Sequence, residues 1–301
     1  MLLKYLINMD RKTKIIATVG PSLSSESKIK KIIDTGANVL RINFSHGTLE
    51  DHENVISWAR KSNKQVAIMQ DIQGPKIRTG ISSENTFLEK SKNVTLTNIE
   101  TESNNDIVFI NYENLLRDVN VDDRVFIDDG QIVLKVVEKE NDKLEALILI
   151  GGELRDNQGV AFPDSNLSVS AITEKDIEHL KFGSEHDVDF VAVSFVRNAS
   201  DINLVKEIIP KDVKVIAKIE LKTALDNIDE ILDVADGVMV ARGDLGVQLP
   251  LEQVPFVQKQ ILDAANKRGK ISITATEMLQ SMKTSYRPTR AEVTDITNAI
   301  L

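Results

Sequence analysis

The amino-acid sequence predicts an α/β fold of parallel βαβ units, interrupted once by an inserted antiparallel β-domain. Three observations point there. Apolar strand-like runs alternate with helical patterns in both the first and the last parts of the chain. The stretch 76–163 breaks this alternation, with short apolar runs separated by Asn, Asp and Gly. In five of the strands outside that stretch, polar residues gather near the C-terminal end at alternate positions.

"TKIIATVG" (13–20) reads as the first strand and is followed by a helical stretch from about Ser25 to Thr35. "VLRINFS" (39–45) is the second, with a helix over about 48–63, and "VAIMQDIQ" (66–73) is the third, ending at Gly74-Pro75. The insertion contains "NVTLT", "DIVFI", "RVFIDDGQIVLKVVE" and "KLEALILI", with "DDG" at 128–130 suited to a hairpin turn. After about Ser170 the alternation resumes with a helix over 174–185, "FVAVSFV" (190–196) and a helix over 200–209. "VKVIAKIE" (213–220) precedes a helix over 223–235, and "GVMVARGD" (237–244) a long helix over 252–268. "ISITATE" (271–277) and a helix reaching the C-terminus complete the pattern. Strands that are apolar throughout, separated by helices, belong to a parallel sheet covered on both faces.

The chain has 301 residues, 42% of them hydrophobic. That is enough for one large core, or a core with a satellite domain. A net charge of −9 and a pI near 5.1 argue against non-specific nucleic-acid binding. Any anionic substrate must then meet a local basic cluster. There are no cysteines, hence no disulfide framework and no thiolate metal site. The opening "MLLKYLINMD", broken by Lys4, is too short for a signal h-region. No apolar run approaches the roughly 20 residues of a membrane span. These features lead us to expect a cytoplasmic protein that binds neither nucleic acid nor membrane.

The polar residues at the strand ends are Arg41, Asn43 and Ser45; Asp71 and Gln73; Lys218 and Glu220; Arg242 and Asp244; and Thr274 and Thr276. Side chains two apart in a strand share a face, and α/β barrels carry their active sites at this end of the strands. One such strand could hold a buried ion pair; five together point to a site. Glu220 and Asp244 are hard oxygen donors on adjacent strands, suited to Mg²⁺ or Mn²⁺ completed by substrate oxygens. Lys218 is a compact cation suited to charge developing on a transferring phosphoryl group. Arg41 and Arg78 extend cationic reach to phosphates, and the glycines of "ARGDLG" permit close backbone approach. Phosphoryl transfer needs this combination. His46 reads as a loop residue without a proton-transfer role. His52, His179 and His186 read as solvated residues of helices, and Asp128 and Asp129 as turn formers.

At these residues the chain resembles the pyruvate kinase family over nearly its whole length. The motifs are "RKTKIIATVGPS", "GANVLRINFSHG", "QDIQGPKIRTG", "VIAKIE", "VMVARGDLGV", "TATEMLQSM" and "RPTRAEVTDITNAIL", in the family's order. The resemblance implies a (β/α)8-type barrel over 1–75 and 164–301, incomplete as given with seven parallel strands, and a β lid domain over 76–163. It implies phosphoryl transfer from phosphoenolpyruvate to ADP, giving pyruvate and ATP, with Mg²⁺ or Mn²⁺. By motif, Lys218 resembles the lysine that stabilises the phosphoryl group in flight, Glu220 and Asp244 the divalent-metal ligands, and Arg41 the phosphate-binding arginine. Gly243, Asp244 and Thr276 match substrate contacts, Thr276 lying near the enolate that is protonated. Asn43, Ser45, Asp71 and the carbonyl of Ile72 match the monovalent-cation site. Arg78, with Asn43, Ser45 and His46, resembles part of the nucleotide site. Lys76 stands where K⁺-dependent members carry Glu, which implies that K⁺ is not required.

The resemblance has departures. Gln158 in "NQGVAFP" stands where the family usually has a lysine, "ELKTA" (220–224) replaces the usual "ENxEG", and Gln248 replaces a common Glu. Leu301 precedes the strand that would carry an "SGE"-like motif and the family's C-terminal domain. Seven strands where closure takes eight lead us to expect uncovered sheet edges, a homo-oligomer or other self-association, and weak activity. Two rival readings are a non-catalytic paralogue that binds phosphoenolpyruvate or a nucleotide, and a different barrel enzyme acting on phosphoenolpyruvate or pyruvate enolate.

Overall fold

The structure is a computed structural model that describes residues 12–62 and 64–301. The opening stretch, including the segment weighed as a signal sequence, lies outside the described residues. The elements begin β1 (Ile16–Val19), α1 (Glu26–Thr35), β2 (Val39–Asn43), α2 (Leu49–Arg60) and β3 (Ala67–Ile72). The insertion follows with β4 (Phe87–Leu88), β5 (Asn93–Thr97), β6 (Ile107–Phe109), α3 (Leu115–Asp118), β7 (Arg124–Ile127), β8 (Ile132–Lys139), β9 (Leu144–Ile150), β10 (Gly152–Glu153) and β11 (Val160–Ala161). The chain then runs through α4 (Glu174–Glu185), β12 (Phe190–Val193), α5 (Ala199–Ile208), β13 (Lys214–Ile219), α6 (Lys222–Asp226) and α7 (Ile228–Val234). It ends with β14 (Gly237–Ala241), α8 (Arg242–Gln248), α9 (Val254–Lys267), β15 (Ile271–Ala275) and α10 (Arg290–Ile300).

Among the described residues, seven strands form one parallel sheet in the order β1-β2-β3-β12-β13-β14-β15. Each strand therefore pairs with its sequence neighbour, the insertion aside, as βαβ units in an incomplete α/β barrel do. Strand β1 is paired only with β2, and β15 only with β14, among these residues.

The pleat sorts side chains into two layers. Leu40, Ile42, Val191, Val193, Val215, Ala217, Val238 and Val240 pack outward against helix residues such as Ile29, Val55, Ile202, Ile231 and Ile261. Val39, Met69, Ala192, Ile216 and Met239 form a smaller inner cluster. Thr48–Asp51, Thr173–Asp176 and Thr289–Glu292 make reciprocal capping boxes that start α2, α4 and α10.

The insertion builds its own core around Leu88, Leu96, Val125, Ile127, Leu134 and Ile148. Its main sheet runs β11-β7-β8-β9-β5-β6, with β4 and β10 forming a separate pair. The sheet is antiparallel except that β5 and β6 pair in parallel, a departure from the all-antiparallel expectation. Asp128, Asp129 and Gly130 all have positive φ (53°, 54° and 84°), and they turn β7 into β8 as "DDG" predicts.

Several boundaries differ from the sequence reading. Strand β14 stops at Ala241, so Arg242 and Asp244 belong to α8. The helix expected over 223–235 divides into α6 and α7 at Asn227, and α9 is preceded by a 3₁₀ turn at Leu251–Gln253. His52 and His179 are buried rather than solvated, at 6% and 7% exposure. Phe44, which follows β2, lies 4.1 Å from the His52 ring and 5.1 Å from that of His179. His186 stacks on Phe182 at 4.0 Å.

Burial is the main cause that lowers the pKa of both His52 and His179. The folded state thus prefers neutral imidazoles, whereas an unfolded histidine titrates near about 6.5. Their contribution to stability is complete above that value and is lost as pH falls through it towards the lowered folded pKa. The melting temperature is expected to fall between about pH 7.5 and pH 5.5, and His52→Leu is expected to flatten the decline. Circular dichroism melts across this range check it, and an unchanged slope in the variant would count against the assignment.

Candidate active site

The inner face of the parallel sheet turns polar at its carboxyl end. Val39 and Arg41, Met69 and Asp71, Ala192 and Ser194, and Ile216 and Lys218 are each two residues apart, so each polar group continues an inner apolar row. Lys218 is at the centre, its side chain 10% exposed. Its Nζ lies 2.8 Å from Glu220 Oε1 and 3.2 Å from Asp71 Oδ1, and it donates to Ser194 Oγ at 2.7 Å. Asp71 Oδ2 accepts from Arg41 Nε at 2.6 Å, and Arg41 Nη1 donates to Thr18 Oγ1 at 2.9 Å. Ser194 Oγ donates to the carbonyl of Ile72 at 2.8 Å. Glu220 is fully enclosed, and its Oε2 accepts from the backbone N–H of Phe195 at 2.7 Å. Phe195 adopts a left-handed φ of 54°.

Buried charges persist only when paired. Burial works against the Lys218 ammonium, but Glu220 and Asp71 outweigh it and hold its pKa above the ordinary lysine range. Glu220 moves up, chiefly through burial and further through Asp244, against the pull of Lys218 and the Phe195 N–H. Burial and the charge of Asp244 thus both disfavour the Glu220 carboxylate, and a divalent cation held at this site would favour it. Among the described residues no group of three or more His, Asp or Glu is arranged to hold a metal. The pair would supply two protein oxygens and leave the remaining positions to substrate and water, which suits Mg²⁺ or Mn²⁺.

A cavity of about 380 Å³ lies over this floor. Glu220, Lys222 and Asp244 line it from the barrel, and Lys76, Arg78, Asp128 and Asp129 from the insertion and its entry. Lys76 is half-buried. Its pKa is lowered, first by burial and then by Arg78, while Asp244 and Glu220 oppose the shift. The Asp129 carboxyl is pushed up by burial, then by Asp244 and Asp128. The tip of the β7–β8 hairpin thus reaches the floor acids, beyond forming a turn. Arg78 Nη1 donates to the carbonyl of Asn157 at 2.6 Å.

The remaining sequence-predicted residues surround this centre. Asn43 Oδ1 accepts from Ser45 N at 3.1 Å, closing the loop after β2, and His46 is exposed in that loop. Thr276 Oγ1 accepts from Gly243 N at 3.0 Å. Two strands do not follow the alternation that the sequence suggested. On β14 the inward positions are Met239 and Ala241, so Arg242 and Asp244 would face outward if the strand continued; α8 redirects them. On β15 Ile273 and Ala275 pack inward, placing Thr274 on the opposite face. Ser194 was missed. Its signal was its position two residues after Ala192, at the same parity as Lys218 on the neighbouring strand. Gln158 packs within the insertion at 7% exposure, where its Oε1 accepts from Arg155 N at 2.9 Å.

A family model described as "Pyruvate kinase, barrel domain" matches residues 10–301. A pyruvate kinase from Thermotoga maritima is 45% identical over 298 residues, covering 96% of this chain and 64% of that protein. A pyruvate kinase from Staphylococcus aureus strain MRSA252 is 45% identical over 300 residues, covering 96% of this chain and 51% of that protein. The chain spans less than two thirds of the length of either relative.

Glu220→Ala and Asp244→Ala are each expected to weaken Mn²⁺ binding at least about tenfold, the scale on which even residues that only orient metal ligands act. Calorimetric titration with Mn²⁺ measures this. Parent-like affinity in either variant would remove that residue from the metal site.

Proposed function

The chain belongs to the pyruvate kinase family, and we propose that it performs the phosphoryl transfer of that family, from phosphoenolpyruvate to ADP, giving pyruvate and ATP. The observation that carries this reading is the buried network of Lys218, Glu220, Asp71 and Arg41, whose Glu220 lines a cavity that Asp244 lines as well. In the reaction the bond between phosphorus and the enol oxygen breaks, a terminal ADP oxygen forms the new bond to phosphorus, and the enolate takes a proton at carbon.

Glu220 and Asp244 would hold Mg²⁺ or Mn²⁺, which when bound supplies positive charge to substrate oxygens. Lys218, kept charged by its two carboxylate neighbours, stabilises the phosphoryl group between donor and acceptor. Arg41, fixed through Nε by Asp71, binds the phosphate. Gly243 and Asp244 contact substrate, and the Thr276 hydroxyl stands near the enolate carbon that is protonated. Arg78, with Asn43, Ser45 and His46, takes part in the nucleotide site. We assign 1–75 and 164–301 to the catalytic barrel and 76–163 to the lid, and place the protein in glycolysis in the cytoplasm. Among the described residues β1 and β15 each have one neighbour in the sheet, and edges of this kind support self-association. A second reading, a weakly active or non-catalytic binder of phosphoenolpyruvate or nucleotide, draws support from Gln158, which is turned into the lid interior and away from the cavity.

A coupled assay for ADP-dependent pyruvate formation with Mg²⁺ tests the proposal. Lys218→Met is expected to lower turnover at least about a hundredfold, as loss of one preorganised donor does. More than about a tenth of parent turnover in this variant would be incompatible with the role of Lys218.

K⁺ is not expected to be required. Lys76 places an ammonium near Asp244, Lys218 and Glu220, and the carboxylate of Asp71 is already engaged by Arg41 and Lys218. Activity in Na⁺ and K⁺ buffers of equal ionic strength should agree within about twofold, since the positive charge is already covalently present. Strong stimulation by K⁺ would show that Lys76 does not replace the ion.

A further inference from the structure

The loop that follows β15 is held in an unfavourable backbone conformation. Thr276, Glu277 and Leu279 have φ of 68°, 54° and 61°. A β-branched residue at positive φ is an outlier, and such conformations persist only where the surroundings over-determine them.

Consecutive residues at the start of α8 hold Thr276 from two sides. The N–H of Gly243 donates to its hydroxyl. Arg242 Nη2 donates to its carbonyl at 2.5 Å, and Arg242 Nε donates to the preceding carbonyl, of Ala275, at 3.1 Å. The third arm of the same guanidinium, Nη1, lies between the carboxylate oxygens of Asp295 on α10 at 2.6 and 2.7 Å. The Arg242 side chain is 11% exposed and that of Asp295 33%. Helix α10 also holds the far part of this segment, because Glu292 accepts from the N–H and hydroxyl of Ser281 at 2.7 and 2.6 Å. An ion pair that served stability alone would need only Asp295. Here the rigid fork also spans two successive carbonyls of the strained turn, a geometry that an ammonium cannot reproduce.

We propose that Arg242, braced by Asp295, is a positioning residue that fixes Thr276 so that its hydroxyl is presented at the site of enolate protonation. The orientation of helix α10 thereby sets the geometry of that step. The proposal rests on the proposed activity for what Thr276 does, but not for how Thr276 is held.

The test uses the full chain with Arg242→Lys, which keeps the charge and loses the fork, and Asp295→Asn, which keeps the shape and loses the charge. Crystal structures of parent and variants report φ of Thr276 and the Gly243–Thr276 hydrogen bond. The coupled assay gives kcat and KM, and NMR follows deuterium uptake into the pyruvate methyl group. In Arg242→Lys, Thr276 is expected to leave the left-handed region. There kcat and methyl exchange should fall together by about 10- to 100-fold, the range for small misplacements of catalytic groups. KM for phosphoenolpyruvate and the affinity for Mn²⁺ should stay within about twofold of the parent, because the side-chain bonds of Arg242 go to Ala275, Thr276 and Asp295 and not to Arg41, Lys218, Glu220 or Asp244. Asp295→Asn should show the same pattern more weakly. A purely structural role would lower the melting temperature and leave the split between kcat and KM unchanged. The proposal is overturned if Thr276 keeps its φ and its bond from Gly243 in both variants, or if the loop relaxes while kcat and exchange match the parent. If the parent itself shows neither turnover nor exchange, the assigned activity fails. Relaxation of Thr276 in the variants would then still uphold the positional coupling.

Discussion

One ammonium group organises the carboxyl end of the sheet. Lys218 is almost fully enclosed, and an enclosed cation persists only if its neighbours compensate for lost hydration. Glu220 does so from its own strand end, Ser194 from the adjacent β12 and Asp71 from β3 beyond it. Each is then fixed by a further contact: Asp71 by Arg41, Ser194 by the Ile72 carbonyl and Glu220 by the Phe195 N–H. Compensation for one charge therefore sets the geometry of four strand ends, and it leaves Glu220 lining the cavity together with Asp244.

The parallel architecture was legible because its strands are apolar throughout and its helices are amphipathic. The inserted sheet was legible because its turns carry Asn, Asp and Gly. Lys218 and Glu220 stood out as charges in an otherwise apolar run, and Asp71 and Arg41 followed by the same alternation. The alternation misled at β14 and β15, where the strands end earlier than the apolar pattern suggests. Asp244 nevertheless reaches the cavity, because α8 begins at Arg242 and changes the direction of the side chains. A periodicity of two carries no information about a residue that has already left the strand.

What was not legible depended on contacts between distant segments. Ser194 looks like an incidental polar residue in "FVAVSFV" until β12 is paired between β3 and β13. His52 and His179 occupy helix positions compatible with exposure, and they are buried where Phe44, arriving from the end of β2, packs against both rings. Gln158 was legible as a replacement for the family's usual lysine, but not that its side chain would accept from the backbone N–H of Arg155. In each case the partner is set by tertiary packing, which neither composition nor spacing encodes.

The hairpin tip of the insertion carries Asp128 and Asp129 towards a floor that already holds Glu220 and Asp244. Asp128 is itself paired with Arg155 at 2.7 Å, and Lys76, Arg78 and Lys222 line the same cavity. Carboxylates and cations from both sides of the mouth therefore alternate around one space. Interactions of both signs between exposed charges reach about 8 Å at physiological salt and shorten as salt rises. An anionic ligand entering here meets a patchwork of attraction and repulsion, and its path is set by where the cations stand rather than by the net charge of the chain.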